Sequence, residues 1–422
     1  MVEFTCPQCG WSGEFDARFA PWCVPNDHGL IGTEELRKLD GEKRRDRRRR
    51  ETGRRRAEAL EKRLAQAESL KPGGLARLCA LLFALVVHAV TLGVLVGSVL
   101  LLINGVWLLW IVALLGLGVV WQMRPRVGRR PKEGWYRRGD LPNLFALLDR
   151  VGAAIGAPTP KAVRVDTAFN AGTQRLGLRH EPVLTLGVPL WQVLDGGERL
   201  ALLGHELGHQ VNGDAARGLL VATARQSLWE WRVLFYPSSR GIGPVRGTAG
   251  LAQLIVPVVL FPIYLFVTGL ERFYAWIQVH VSLRAEFLAD EMAARTASTD
   301  AAVRLIRKLG AFSAVASYIG RVKAVRAGSR EPVTDEEGVA LWQGLREHVA
   351  AIPEMEFVRQ ERVSAFRGTS VDASHPANHL RSALLKERPR HEAAVTVSDE
   401  EWKAVNREMA ASMVAGGLIL LR

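Results

Sequence analysis

The sequence predicts a mainly α-helical membrane protein that also contains a small α+β domain and a cysteine-containing amino-terminal module. Three observations support this fold class. Residues 78–123 contain no Asp, Glu, Lys or Arg. The pentapeptide His-Glu-Leu-Gly-His occupies residues 205–209 within a helical pattern. Cys6 and Cys9 form a Cys-x₂-Cys pair near the start of the chain.

The uncharged run 78–123 predicts a transmembrane hairpin over residues 75–123. A spanning helix needs about 20 apolar residues, so the run is long enough for two. Asn104 and Gly105 form a natural turn between them. A second uncharged run, 247–270, contains two prolines, which are tolerated in bilayer helices.

Charge predicts the orientation. Residues 37–56 contain twelve Lys or Arg and four Asp or Glu, and a second basic cluster covers 124–138. Basic residues near span ends stay on the cytoplasmic side. Because the first 74 residues have no apolar signal-peptide core, we expect an integral protein of a bacterial-type cytoplasmic membrane, with the domain after the hairpin in the cytoplasm.

The charged segment 33–74 is expected to be a basic helical linker. Next to a membrane entry it would attract anionic lipid headgroups, with about 1 kcal/mol per basic residue near the surface. A ribbon followed by arginines could also bind nucleic acid. The membrane explanation needs no additional partner, so nucleic-acid binding is the less favoured interpretation.

The pentapeptide is typical of a zinc site. Two residues four apart lie on one helical face, so His205 and His209 can bind one ion. Glu206 then lies beside the open coordination position, where a carboxylate can accept a proton from zinc-bound water. The alternative is an amphipathic surface helix with two solvated histidines.

A third ligand is expected in the sequence Arg-Ala-Glu-Phe-Leu-Ala-Asp at residues 284–290. Glu286 and Asp290 are again four apart, which suits one carboxylate as ligand and one as acceptor for an imidazole N–H. The alternative is a solvated acidic pair near a helix end.

With these motifs the chain resembles the HtpX-like and CAAX-prenyl-protease-type membrane zinc metalloendopeptidases over residues 135–390. The resemblance also rests on Asn-Gly-Asp at 212–214, Ser-His-Pro at 374–376 and Arg381. It implies a zincin-like α+β domain with zinc ligands His205, His209 and Glu286 and general base Glu206. It further implies that His375 stabilises the oxyanion, and that Asp290 and Arg381 lie behind the ligands.

One segment departs from the family pattern, which usually has an Asn-Ala-Phe-Ala-like sequence on the edge strand that pairs with substrate. Residues 167–172 read Thr-Ala-Phe-Asn-Ala-Gly here. Either Thr167 replaces the asparagine, or Asn170 has shifted into its role. Asn170 and Ala171 are therefore candidate substrate-strand residues, next to a short strand expected at 182–186.

The chain between His209 and Glu286 must cross the bilayer an even number of times if both bind one zinc. Residues 218–236 carry three charges and two tryptophans. Either this stretch and 247–270 both span, giving four spans, as the resemblance suggests. Or the first lies at the interface as an amphipathic helix while the second is re-entrant or packed in a bundle.

The amino-terminal residues 1–32 predict a zinc ribbon. Cys6 and Cys9 form one thiolate pair, and Cys23 and His28 could complete a tetrahedral site. The fourth cysteine, Cys79, lies in the apolar run, and such sparse usage indicates a reducing compartment. The alternative is an exposed tail, because so short a segment buries little core without metal.

The remaining patterns outline the soluble domain, expected over 133–214 and 271–393 around a membrane-associated insertion at 215–270. A helix is expected to start at Pro142, with strands at 163–165 and 183–186. A carboxy-terminal helix, 394–422, has a capping-box signature at Ser398 and Glu401. Its apolar end is too short to span and should pack on the domain or the bilayer.

Taken together, these patterns predict a membrane-embedded zinc-dependent endopeptidase for membrane-protein quality control or precursor processing. Its expected cofactors are one catalytic and one structural zinc, and its partners a peptide or protein substrate and membrane lipids. The alternative from another class is a non-catalytic membrane scaffold or nucleic-acid tether that uses the ribbon and the arginine run.

Overall fold

Helices dominate the computed structural model, with a small sheet against the central helices. It describes residues 1–32, 44–67, 75–103, 106–124, 134–176, 181–211, 214–236, 248–328, 331–367 and 377–422. The helices are α1 Arg44–Ala65, α2 Leu75–Ile103, α3 Trp107–Met123, α4 Pro142–Ile155, α5 Val188–Val193, α6 Gly196–Val211, α7 Asp214–Leu234, α8 Thr248–Ala297, α9 Thr299–Lys308, α10 Phe312–Arg326, α11 Asp335–Ala350, α12 Glu354–Arg367, α13 Asn378–Glu387 and α14 Asp399–Leu421.

Two sheets occur in the described residues. The strands are β1 Val2–Thr5, β2 Ser12–Phe15, β3 Trp135–Tyr136, β4 Ala162–Asp166, β5 Ala171–Leu176 and β6 Glu181–Gly187. β1 and β2 form an antiparallel hairpin, and the larger sheet has the order β3-β4-β6-β5. β4 and β6 run parallel, while β5 pairs antiparallel with β6. β5 is therefore an edge strand of the described sheet.

The main core lies between this sheet and helices α4 and α6. Alternation in the strands buries every second residue, as in Val163 and Val165 of β4. Pro142 is the first residue of α4, as predicted, and the helix ends at Gly156 with a φ of 71°, a conformation that glycine adopts without strain.

The close approach of α6 and α8 brings the 205–209 and 284–290 motifs together. A Cβ atom at Gly204 would lie 2.5 Å from Thr296 Oγ1, and one at Gly208 would lie 3.1 Å from Ala289 Cα. Only glycine allows the backbones this close. The two glycines therefore let the helices pack so that the 284–290 turn of α8 faces the 205–209 turn of α6.

The apolar helices form a separate bundle. Residues of α2, α7 and α8 share one hydrophobic cluster, which includes Ala84, Leu228 and Tyr274, and α3 packs along α2. The segment predicted to be a transmembrane hairpin, 75–123, contains the two helices α2 and α3, and Asn104 and Gly105 lie outside the described residues. Residues 248–270 of the second uncharged run belong to α8, which continues as one helix into the 284–290 motif.

By length and composition, three helices in the described part of the chain could cross a membrane. They cover Arg77–Ile103, Val258–Ala297 and Asp399–Leu421, and Trp107–Gln122 is a shorter apolar helix. The last of the three begins with the predicted capping box, in which Ser398 accepts from the backbone N–H of Glu401. It packs on α11, where Trp342 Nε1 donates to Met413 O at 2.7 Å.

The amino-terminal hairpin docks on helix α12. Trp22 and Leu30 are fully buried in a cluster with Val363. Arg359 Nη1 donates to Leu30 O at 3.0 Å, and Arg362 Nη1 donates to Asp27 Oδ1 at 2.7 Å. The amino-terminal module, residues 1–32, therefore packs against α12.

Candidate metal centre

Helix α6 presents the two histidines of the pentapeptide on one face. Their rings meet edge to face with centroids 4.8 Å apart, and the two Nε2 atoms are 3.2 Å apart. His205 is buried, whereas His209 is half-buried. This spacing follows from the helical repeat, which stacks residues four apart.

Helix α8 adds the third donor. Glu286 Oε2 lies 3.5 Å from His205 Nε2, and Glu286 Oε1 lies 3.7 Å from His209 Nε2. Ligand atoms about 2.0–2.1 Å from a tetrahedral zinc lie about 3.3 Å from one another. The three donor atoms, which all lie within 4.8 Å, therefore match a zinc ion with one coordination position left over.

Two further groups hold His205 from behind. Asp290 Oδ1 lies 3.0 Å from His205 Nδ1. Arg381 of α13 donates two hydrogen bonds to the same carboxylate, from Nε at 2.8 Å and from Nη2 at 2.6 Å. All three residues are buried. A carboxylate behind a histidine fixes its orientation, so that Nε2 faces the metal position.

The same contacts perturb the titration of His205. Burial alone would lower its pKa, but hydrogen bonds to Asp290 and Glu286 outweigh it and raise the pKa to about 10. A metal ligand must be neutral at the coordinating nitrogen, so binding an ion here displaces a proton. The carboxylates of Asp290 and Glu286 therefore favour a positive charge at this position.

Glu206, the candidate general base, is buried in the same helical turn as His205. Its backbone carbonyl accepts a hydrogen bond from Thr173 Oγ1 at 3.1 Å. Thr173 is in strand β5, so this bond ties the edge strand to the helix that contains the centre. This contact could not be predicted from the sequence, because it depends on the register of β5.

The remaining candidate residues divide into two groups. Ala171 begins β5, and Asn170 precedes it, with its carbonyl accepting from Gly187 N at 2.9 Å. Asn170 and Ala171 thus lie at the start of the edge strand β5. His375 lies outside the described residues, as do Asn212 and Gly213.

A second group of potential ligands lies in the amino-terminal module. The Sγ atoms of Cys6, Cys9 and Cys23 lie within 4.8 Å of one another, with Cys9 and Cys23 at 3.5 Å. The peptide N–H groups of Gln8 and Cys9 lower the pKa of Cys6 to about 6 despite its burial. Three sulfur donors, one of them easily ionised, match the preference of a structural zinc.

His28, predicted as the fourth ligand, does not belong to this group within the described residues 1–32. The backbone explains why. Cys6 N donates to Trp11 O and Gly10 N to Cys6 O, and the same pattern recurs as Cys23 N to His28 O and Asp27 N to Cys23 O.

In this repeated turn the position that Cys9 holds in the first loop is held by Asn26 in the second. Asn26 Nδ2 lies 3.6 Å from Cys6 Sγ, so an amide, not the imidazole of His28, faces the fourth corner. The Cys-x₂-Asn spacing at residues 23–26 was the sequence signal for this residue.

A comparison with family models identifies the class of protein. The model of peptidase family M48 matches residues 142–389, which is more than half of the chain. The chain belongs to peptidase family M48, whose members are zinc-dependent metallopeptidases. No curated protein and no solved structure matches the chain significantly.

Proposed function

We propose that this M48 peptidase is a membrane-embedded zinc metalloendopeptidase of the HtpX-like type. The observation that carries the proposal is the spacing of His205, His209 and Glu286, whose donor atoms fit one tetrahedral ion with an open position. Glu206 lies in the same turn of α6. A closed structural site would have four protein ligands, whereas an open position suits catalysis.

The chemistry divides between the ion and the chain. Zinc, when bound, polarises a peptide carbonyl and makes an attacking water more acidic. Glu206 accepts the proton of that water and passes it to the leaving amine. Asp290 holds the His205 ring through Nδ1, and Arg381 keeps that carboxylate ionised and in place. His375 is proposed to stabilise the oxyanion with one hydrogen bond.

Substrate is proposed to add as a strand to the edge of β5. The backbone of an edge strand offers unpaired N–H and C=O groups at every second residue. Thr173 bonds β5 to the Glu206 carbonyl, so a peptide on this edge passes close to the metal position. Asn170 and Ala171, at the start of the strand, would set the register in which the peptide pairs with β5.

Membrane embedding is supported by the arrangement of helix α7. Its buried residues include Thr223, Ser227 and Glu230, while Leu220 and Trp229 are exposed. Gln122 of α3 donates to Glu230 Oε2 at 3.1 Å. Polar groups inside and apolar groups outside are the pattern of a helix in lipid. We therefore favour four spans, α2, α3, α7 and α8, with the peptidase centre on the cytoplasmic side.

The remaining modules are assigned by their chemistry. The three cysteines near Asn26 are proposed to bind a structural zinc, and the basic face of α1 is proposed to lie on anionic lipid headgroups. A role in membrane-protein quality control or precursor processing follows from a cytoplasmic, membrane-anchored site. A non-catalytic scaffold would not explain why the carboxylates Glu206, Glu286 and Asp290 are buried together.

The proposal is tested with Glu206→Gln, which keeps size and polarity but removes the base. We expect cleavage of denatured casein by the zinc-loaded full chain to fall by about 10²–10⁴-fold, while zinc content stays unchanged. Glu400→Gln, the same change at an exposed site on α14, is the matched control. Unchanged cleavage in Glu206→Gln would contradict the enzymatic function.

A further inference from the structure

We propose that an anionic lipid surface activates the peptidase, and that Arg388 carries the effect from helix α1 to the metal centre. The basic amino-terminal half of α1 binds the surface, and its apolar carboxy-terminal half docks beside the centre. Arg388 is a positioning residue that does not touch the substrate. This inference rests on the proposed membrane-embedded peptidase and names the regulation of the same site.

Helix α1 has two halves of different chemistry. Residues 44–56 contain nine arginines and two acidic side chains, whereas 57–65 contain two basic and two acidic side chains. The second half joins an apolar cluster formed by Ala57, Leu64, Phe287, Leu380 and Leu384. Phe287 is fully buried and directly follows Glu286, the proposed metal ligand. Docking of α1 therefore covers the turn of α8 that contains this ligand.

Arg388 links the end of α1 to the same part of α8. Its Nη1 donates to Leu64 O and to Ala67 O, both at 2.9 Å. Its Nε donates to Glu291 Oε2 at 3.2 Å, and both side chains are buried. Glu291 directly follows Asp290, which orients a histidine of the centre. The last carbonyl groups of a helix have no partner within it, so Arg388 makes its bonds to α1 only when that end is helical.

The docked position of α1 is opposed by a buried carboxylate. Glu61 of α1 is buried, and this burial, together with the nearby Glu387 carboxylate, raises its pKa. Burying one carboxylate near another costs free energy. Glu291 also has His391 and Arg295 as partners, so it stays paired without α1. Docking is therefore a balance that binding elsewhere on the helix can shift.

An anionic surface favours the docked helix. Like charges four residues apart destabilise a helix, and the nine arginines of residues 44–56 repel one another. Lipid headgroups neutralise this repulsion when the helix lies on them. Because helix formation is cooperative, support for the first half also stabilises the second half. The carbonyl groups that Arg388 binds are then held in place.

The chain keeps α1 within reach of such a surface. Leu75, the first residue of α2, comes eight residues after Ala67. Eight extended residues span at most about 30 Å. Because α2 is proposed to cross the bilayer, α1 stays close to the headgroups. Nucleic acid offers the same phosphate groups, but the chain does not hold it next to α1.

The experiment compares the zinc-loaded full chain in vesicles of phosphatidylcholine alone and in vesicles that contain about one third phosphatidylglycerol. A fluorogenic peptide without net charge gives kcat and KM separately, so attraction of substrate to the surface does not contribute. We expect kcat to be about fivefold higher in the anionic vesicles. Equal kcat values would overturn the proposal. An oligonucleotide that raises kcat where phosphatidylglycerol does not would assign the arginines to nucleic acid instead.

Substitutions then test the path to the centre. Arg388→Gln should reduce the ratio of the two kcat values to about one, whereas Arg390→Gln, at an exposed site two residues farther on, is the matched control and should leave it unchanged. Leu64→Ala removes part of the docking face but keeps a good helix former. It should also lower the ratio, and it serves as the test if Arg388→Gln does not fold. Activity that falls equally in both vesicles, with the ratio unaltered, would show a purely structural role and overturn the coupling.

The lipid-binding half of α1 is tested by combining Arg54→Gln with Arg55→Gln, two exposed sites. The phosphatidylglycerol fraction that gives half of the stimulation should rise about twofold, while kcat in neutral vesicles stays unchanged. An unaltered fraction would exclude this part of α1 from the lipid contact and contradict the proposal. Cleavage that does not depend on Glu206 in either vesicle would contradict the peptidase function itself, so the two failures are distinguishable.

Discussion

The two groups of potential metal ligands are built in opposite ways. The centre at His205, His209 and Glu286 lies on two packed helices, and a buried pair, Asp290 with Arg381, supports it from behind. The cluster of Cys6, Cys9 and Cys23 lies on two short loops that are closed by backbone hydrogen bonds.

This difference indicates how far the geometry of each site depends on a bound ion. Helices α6 and α8 would keep their packing without metal, because the surrounding core is large and apolar. The amino-terminal loops have only a small cluster around Trp22 and Leu30, so their geometry should depend on the ion. The comparison therefore predicts that ligand changes at the two sites have separable effects.

The largest effect is expected from Glu286→Ala. Removing a ligand, not a base, should release the ion at the helical centre and abolish peptidase activity together with it. Metal analysis of the purified full chain should show the loss of about one zinc equivalent, with the helical content by circular dichroism unchanged. Retention of both zinc equivalents would show that Glu286 is not a ligand.

A smaller loss is expected from His375→Ala, which removes one oxyanion donor. Turnover should fall by about 10²–10³-fold while zinc content stays at the value of the unmodified chain. Steady-state kinetics with a single fluorogenic peptide separates kcat from KM. A change in KM alone would assign His375 to substrate binding.

Cys6→Ser sharpens the comparison from the other side. It should remove about one zinc equivalent and leave peptidase activity within about tenfold, because the amino-terminal module packs on α12 through Trp22 and Leu30 and effects of separate sites are nearly independent. The measurement is metal content alongside casein cleavage. Loss of both metals in this variant would show that the two sites are not independent.

The smallest effect is expected from Asn26→Cys, which adds a fourth thiolate at the position facing Cys6. Four sulfur donors form a closed structural zinc site, so competition with a chelator should show tighter binding. Casein cleavage should not change. If His28 is the fourth ligand instead, Asn26→Cys should leave the zinc affinity unchanged, and His28→Ala should lower it.

The sequence predicted the parts of this molecule that depend on local spacing. Patterns of residues three or four apart predicted four features. These are the ligand pair of α6, the turn at Glu286 and Asp290, the start of α4 at Pro142 and the cap at Ser398. The continuity of α8 through the run 247–270 was not predicted, because two prolines left a re-entrant element open.

Features that depend on partners distant in sequence were missed. In the sequence, Gly204 and Gly208 are ordinary helix residues. Their role becomes clear only in the structure, where Thr296 and Ala289 lie within contact distance of them. Asn26 was overlooked because imidazole is the better zinc ligand, and only the repeated loop geometry places the amide at the fourth corner. The contact of Thr173 with the Glu206 carbonyl requires the strand register of β5, which no single segment specifies.

Helix α8 has a consequence of its own, since its 50 residues form one rod of about 75 Å. The run without charged side chains ends before Glu271, and Glu286 follows on the same rod about 22 Å farther along its axis, at 1.5 Å per residue. If the apolar half lies in lipid, as proposed, the length of this helix sets the height of Glu286 above the bilayer. A substrate anchored in the same membrane would then be cut at a set distance from its anchor.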